Sequence, residues 1–239
     1  MSIDPDYKKY PYWSPYLFGA NAPIRFIDVN GEGPGDVVVV LAGADLFSNG
    51  DVATAGPIAK QTIVNSPGTT AKAFSSTFWK VQSHWTPYGG SAITIVKERD
   101  LDKITQQAFD YIMNNKTEDG KIIIYGYSHG GVLANHLAKR LKKEGVDIDL
   151  LVTIDAAAGP ESDKVDRVIS DNVKKNINIY QTTPSSIESR GGANTAENEG
   201  KTDVDNRDRT ASDYNHGNID EKTQDESINE ITNVLNNGQ

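Results

Sequence analysis

The chain of 239 residues contains no cysteine. That excludes a disulfide framework, thiolate metal ligands and a cysteine nucleophile together. Positive charge is also scarce: 24 Lys and Arg stand against 33 Asp and Glu, for a net charge of -9. Residues 160–239 hold 16 acidic and 9 basic side chains, so they carry -7 of that total. Such a surface repels phosphate backbones and anionic headgroups, and there is no basic stripe, so nucleic acid is not an expected partner. Long apolar runs are missing as well. The longest, residues 37–44, falls far short of the roughly 20 residues that cross a bilayer, so no stable membrane insertion is expected. The opening MSIDPDYKKYPYWSPY lacks the apolar stretch of about 7 to 15 residues that a secretory signal needs. The expectation is a soluble chain without a signal peptide. No HExxH or clustered ligand set is present, so neither a metal nor a cofactor is expected.

What is there reads as two parts. Residues 1–35 are rich in Pro, Tyr, Asn and Gly without a sustained period and read as an extended, turn-filled segment. Residues 36–239 alternate strand-like and helix-like patterns. Residues 37–41 form a β-branched run of the kind buried on both faces of a parallel sheet, and residues 92–96 have the same character. Leu101, Ile104, Ala108, Tyr111 and Ile112 recur at helical spacing up to Asn115. A third strand follows at 121–125, a helix marked by Leu133, Leu137 and Leu141, a fourth strand at 149–154 and a fifth at 176–181. Ile228, Ile231 and Leu235 give a closing helix. Alternating βαβ units predict an α/β fold, a mostly parallel sheet with helices on both faces. The polar stretch 182–215 carries no periodic signal, and a loop of that length is usually functional or disordered.

The sharpest motif lies in KIIIYGYSHGGVLANHLAKRL, where Gly126, Tyr127, Ser128, His129 and Gly130 spell GxSxG between a strand and a helix. Small residues two before and two after the serine let the chain turn sharply there, and Gly126 and Gly130 meet that need. The turn presents the Ser128 hydroxyl at the carboxyl end of the sheet, where clefts form in parallel α/β folds. It also sets that hydroxyl at a helix N-terminus, where N–H groups and the helix dipole favour developing negative charge.

This segment resembles the nucleophile elbow of the α/β-hydrolase family, particularly its lipase and esterase branches, and the likeness in element order runs over residues 36–239. The resemblance implies a triad in the order serine, acid, histidine. Of the four histidines, His84 precedes the serine, His129 follows it directly and His136 lies on the following helix. His216, in DYNHGNID, is left as the base. Asp155 ends the strand next to the elbow strand and is the preferred acid, with Asp205 and Asp213 in reserve; the following strand ends in Gln181, Thr182 and Thr183, with no acid. The oxyanion donors implied are the backbone N–H of His129 and a donor from the loop after the first strand, where Gly43 and Ala44 leave room for substrate. Gly43 reads equally well as part of a tight turn.

The expected substrate is a small-molecule or lipid ester. The polar stretch 183–215 favours small or polar esters, and a peptidase or thioesterase would use the same three residues. Phe78, Trp79 and Trp85 suit a core better than an acyl pocket. A different class of reading is a non-catalytic effector or binding module on the same fold.

Residues 3–31 carry a second resemblance, to the end of the core domain of Rhs-repeat proteins, shells that carry a variable C-terminal effector. It rests on IDP at 3–5, YPYWSPY at 10–16 and NAPIRFID at 21–28; Val29 follows Asp28 where that family has proline. It implies an exported hydrolase effector with an Rhs shell or an immunity protein as partner; the other reading of these residues is a leftover segment packed along the domain surface.

Overall fold

Four successive valines, 37 to 40, are completely buried, which a strand achieves only when both faces of its sheet are covered. Their side chains alternate. Val37, Val39 and Leu41 enter one apolar cluster, and Val38, Val40 and Ala42 enter another on the opposite face. The computed structural model describes residues 35–45, 55–66, 68–77, 79–85, 91–97, 101–183, 189–211 and 213–236. The N-terminal segment that resembles the Rhs core therefore lies outside the described residues, as does Phe78.

In chain order the elements are β1 (Val37–Asp45), α1 (Ala55–Asn65), β2 (Thr70–Thr77), β3 (Trp79–Trp85), β4 (Ser91–Lys97), α2 (Leu101–Asn115), β5 (Ile122–Tyr127) and α3 (His129–Lys143). There follow β6 (Ile148–Ile154), a 3-10 helix (Gly159–Lys164), β7 (Val168–Ile169), β8 (Val173–Tyr180), β9 (Thr195–Ala196), β10 (Asp203–Asp208), α4 (Ile219–Lys222) and α5 (Gln224–Asn236). Six strands make one sheet in the order β10-β8-β6-β5-β1-β2, with every neighbouring pair parallel. Helices α2 and α3 cover one face and α1 and α5 the other. This is the expected α/β architecture. No described helix is long and apolar enough to cross a membrane.

Helix α3 shows how local sequence sets a boundary. Leu133, Leu137 and Leu141 are fully buried, and Arg140, Lys142 and Lys143 in the last turn complement the negative end of the helix dipole. Gly145, at φ 69°, then reverses the chain. Its N–H bonds the Lys142 carbonyl and that of Val146 bonds the Leu141 carbonyl, both at 3.0 Å, which closes the helix as a Schellman motif.

Three expectations need correction. The strand at 92–96 is part of β4, which pairs antiparallel with β3 in a separate two-stranded sheet rather than joining the parallel one. Alternation of Ile and Val with small residues does not distinguish these two settings. Gly43 and Ala44 lie within β1, not in a loop after it: the register with β2 shifts between Leu41 and Ala44, so the strand continues past a bulge.

The stretch 182–215 is not one structureless loop, since it contains β9 and β10. Strand β8 has an apolar face, Ile177 and Ile179, and a polar one, Asn176 and Asn178, with all four completely buried. The polar face is roofed by residues 189–196. Asn178 Nδ2 bonds the Gly192 carbonyl at 2.9 Å and Asn206 Oδ1 at 2.7 Å. Asn194 Nδ2 reaches Asn176 Oδ1 at 3.0 Å and Thr153 Oγ1 at 3.1 Å, while Asn206 Nδ2 returns to the Asn194 carbonyl at 2.9 Å. Edge strand β10 is fastened to α5 by Arg207, which contacts Glu226 and Glu230 at 2.7 Å and Asp205 at 2.6 Å.

Candidate active site

The carboxyl ends of β5 and β6 lie side by side, with Gly126 opposite Thr153 and Tyr127 opposite Ile154. Ser128 and Asp155, the residues that follow these two strands, are therefore neighbours at one sheet edge. Both have positive φ, 53° for Ser128 and 43° for Asp155, where non-glycine residues are rare. The bend at Ser128 requires its flanking glycines. A Cβ on Gly126 would stand 2.3 Å from the Gly130 carbonyl oxygen, and one on Gly130 would stand 2.2 Å from that of Leu41.

His216 arrives from the loop before α4, and that loop is cross-tied: Asn215 N–H bonds Asn218 Oδ1 at 2.8 Å and Gly217 N–H bonds Asn215 Oδ1 at 2.9 Å. The His216 side chain is 8% exposed. Its Nδ1 lies 2.7 Å from Asp155 Oδ2, and its Nε2 lies 2.9 Å from Ser128 Oγ. A carboxylate only accepts, so Nδ1 carries the proton and donates it to Asp155. Nε2 is then left with a lone pair facing the serine hydroxyl. Ser128, His216 and Asp155 thus form one hydrogen-bonded chain, with Asp155 fully buried.

The other residues singled out from sequence are distributed as follows. His129 opens α3 directly after Ser128. Gly43, in the bulge of β1, passes close: a Cβ there would be 3.4 Å from Ser128 Cβ and 2.9 Å from the Tyr127 ring. The backbone of Ala44 pairs with Ser76 on β2. The reserve acids lie elsewhere, Asp205 bound to Arg207 and Asp213 bound to Lys222. His136 is on the exposed face of α3. Among the described residues no group of three or more His, Asp or Glu is arranged to hold a metal ion.

Two contacts at the site were not foreseen. Tyr127 donates its hydroxyl to the His216 carbonyl oxygen, and the two rings lie 5.6 Å apart at 30°. Gln181, directly after β8, bonds Asp155 twice, through its backbone N–H to Oδ1 at 3.0 Å and through Nε2 to Oδ2 at 2.8 Å. Position carried the signal for Gln181, because it directly follows the strand beside that of Asp155. Nearby, Arg167 is half-buried, which lowers its guanidinium from the ordinary value, while the charge of Asp155 acts in the opposite direction.

No family model matches the chain, and no curated protein matches it. Solved structures do. A putative hydrolase from Agrobacterium vitis superposes with a TM-score of 0.51 at 14% identity, over 84% of this chain and 88% of its own. A putative α/β hydrolase from Agrobacterium tumefaciens gives 0.49 at 11% identity, over 85% and 88% of the two chains. An esterase from Pyrobaculum calidifontis gives 0.47 at 14% identity, over 84% and 76%. At these identities the likeness concerns the fold, and the fold class is α/β-hydrolase-like.

Proposed function

We propose that this protein is a serine hydrolase that cleaves an acyl ester, lipase-like or esterase-like, with Ser128 as nucleophile, His216 as general base and Asp155 as the acid. The observation that carries the reading is the chain of contacts, 2.9 Å from Ser128 Oγ to His216 Nε2 and 2.7 Å from His216 Nδ1 to Asp155 Oδ2. A neutral serine is a weak nucleophile. His216 takes its proton as Oγ attacks the acyl carbonyl, and Asp155 holds the ring tautomer and stabilises the imidazolium. Collapse of the tetrahedral intermediate expels the alcohol, which receives the proton from His216. Water then attacks the acyl-enzyme in the same way and frees the acid. The His129 N–H, at the start of α3, and the backbone near Gly43 are the proposed oxyanion donors.

A non-catalytic module on this fold would not need the strain at Ser128 and Asp155. Residues held at such φ values cost about 1–3 kcal/mol each, and here they sit side by side in one site. The resemblance of residues 3–31 to an Rhs core end supports placing the hydrolase as the effector cassette of such a shell, with an immunity protein as its counterpart. The test is hydrolysis of a series of p-nitrophenyl esters and matching thioesters by chain length. The expected result is turnover of at least one series, with an initial burst or a common limiting rate set by deacylation, and a loss of about 10⁴-fold or more in Ser128→Ala. Folded protein that turns over no ester or thioester would favour the binding module.

A further inference from the structure

The Asp155 carboxylate is held by a residue that the proposed chemistry has so far left unused. Gln181 is completely buried. Its Nε2 and the Nδ1 of His216 converge on the same oxygen, Asp155 Oδ2, at 2.8 and 2.7 Å. Its backbone N–H occupies the other oxygen at 3.0 Å. The remaining amide atom, Gln181 Oε1, is buried with no hydrogen-bond partner among the described residues.

A buried acceptor without a donor is costly, and an apolar side chain of similar shape would avoid that cost. Turning the amide over would not remove it, because Oε1 would then face the carboxylate. Among the described residues, the bond to Asp155 is the one polar contact of this side chain that offsets the loss. Residues 189–196 seal the arrangement: Gly191 N–H bonds the Gln181 carbonyl at 2.9 Å, and a Cβ on Gly191 would lie 2.2 Å from Asp155 Oδ1.

We propose that Gln181 is a positioning residue of the hydrolase, aiming Asp155 Oδ2 at His216 and sharing the carboxylate charge between the amide and the imidazole. The inference rests on the Ser128, His216 and Asp155 reading given above. The charged groups around the pair belong to the neighbouring elements. Arg167 faces Asp155 and is tied to the Gly192, Ala156 and Ser162 carbonyls at 3.4, 3.3 and 3.5 Å, with Asp163, Arg190 and Tyr180 acting on it in turn. Tyr127 packs on the other side, against His216.

A carboxylate that loses a donor attracts the proton on its histidine partner more strongly. The base is then disabled up to a higher pH. The experiment is the second-order rate of Ser128 labelling by a fluorophosphonate, followed from about pH 5 to about pH 9 in the wild type, Gln181→Met and Gln181→Glu. Gln181→Met is expected to label roughly 10- to 100-fold more slowly and to shift the acid limb of the profile to higher pH. Gln181→Glu keeps the shape but sets a second carboxyl 2.8 Å from Asp155 Oδ2, so the two share one proton. While held, that proton replaces the amide donor, and its loss as pH rises adds a charge that strengthens the imidazole's hold on its own proton, so the acid limb is expected to broaden towards higher pH.

An acid limb unmoved in folded Gln181→Met, or identical in position and breadth to wild type in folded Gln181→Glu, with or without a slower rate, would assign Gln181 a merely structural part and overturn the proposal. Should Gln181→Met fail to fold, the near-isosteric Gln181→Glu carries the test alone. Failure of the underlying reading looks different, because the wild type itself would then show no labelling at Ser128.

Discussion

Ser128 is held at φ 53° and ψ -122° by the strand before it and the helix after it. Glycine tolerates that region and alanine does not. Ser128→Gly and Ser128→Ala both remove the hydroxyl, so comparing their stabilities isolates the strain. The glycine variant is expected to be more stable than the alanine variant by about 1 kcal/mol, measured by urea denaturation. Equal stabilities would show that the turn is not strained. At the same scale, Tyr127→Phe removes only the hydroxyl that anchors the His216 carbonyl. The expected consequence is a two- to tenfold slower labelling of Ser128, on the order of one hydrogen bond, with the melting temperature changed little. A rate equal to wild type would mean that the Asn215 and Asn218 ties hold the loop unaided.

At the scale of elements, the polar roof over β8 is the least conventional part of the fold. Asn194 donates to Asn176 and Thr153 beneath it, so Asn194→Ala leaves buried acceptors short of a donor. A loss of about 1–3 kcal/mol is expected, read from the midpoint of urea unfolding; a neutral substitution would show that the roof contributes nothing. The same region explains what the sequence did and did not make legible. Strands β1, β5 and β6 and helices α2, α3 and α5 are stabilised by apolar burial, which leaves a continuous apolar run in a strand covered on both faces and a period of 3.6 in a helix, and both can be read directly. β10, with the sequence DVDNRD, is held by a parallel ladder, asparagine bonds and ion pairs, none of which leaves an apolar period. Helix α1 and β2 were missed for a related reason, since AGPIAKQTIVN and TAKAFSST have small and polar residues at many positions. The elbow was legible because its glycines are a steric necessity. Gln181 and Tyr127 were not, because their roles depend on which strand ends and loops meet in space.

For the molecule as a whole, the surface carboxylates set the response to acid. Bonds from Lys142 and Lys201 hold Asp171 down at about 2, and Asp166, Glu197, Asp208 and Asp213 are also lowered by their partners. A carboxylate depressed in the folded state adds stability above its unfolded value, 3.8 for these aspartates and 4.5 for Glu197, and that contribution fades as pH falls towards about 2 for Asp171. The melting temperature is expected to decline across this window. Asp36 has the opposite sign, because burial raises it despite its bond to the Lys121 N–H. Its charge therefore costs stability above its raised value. Asp36→Asn, which keeps an acceptor for that N–H, is expected to raise the melting temperature at neutral pH and to give no gain below about pH 3. A gain that persists in acid would place the effect elsewhere than in the buried charge.

All of these expectations concern a scaffold whose two sheet cores and polar flank bring Ser128, His216 and Asp155 to one edge. The most direct test of that arrangement is reaction of the wild-type protein with a fluorophosphonate, with the adduct located by mass spectrometry and Ser128→Ala as control. The account predicts a single adduct on Ser128, absent from the alanine variant. Folded wild-type protein that acquires no adduct, or acquires one at another residue, would contradict the assignment of Ser128 as an activated nucleophile.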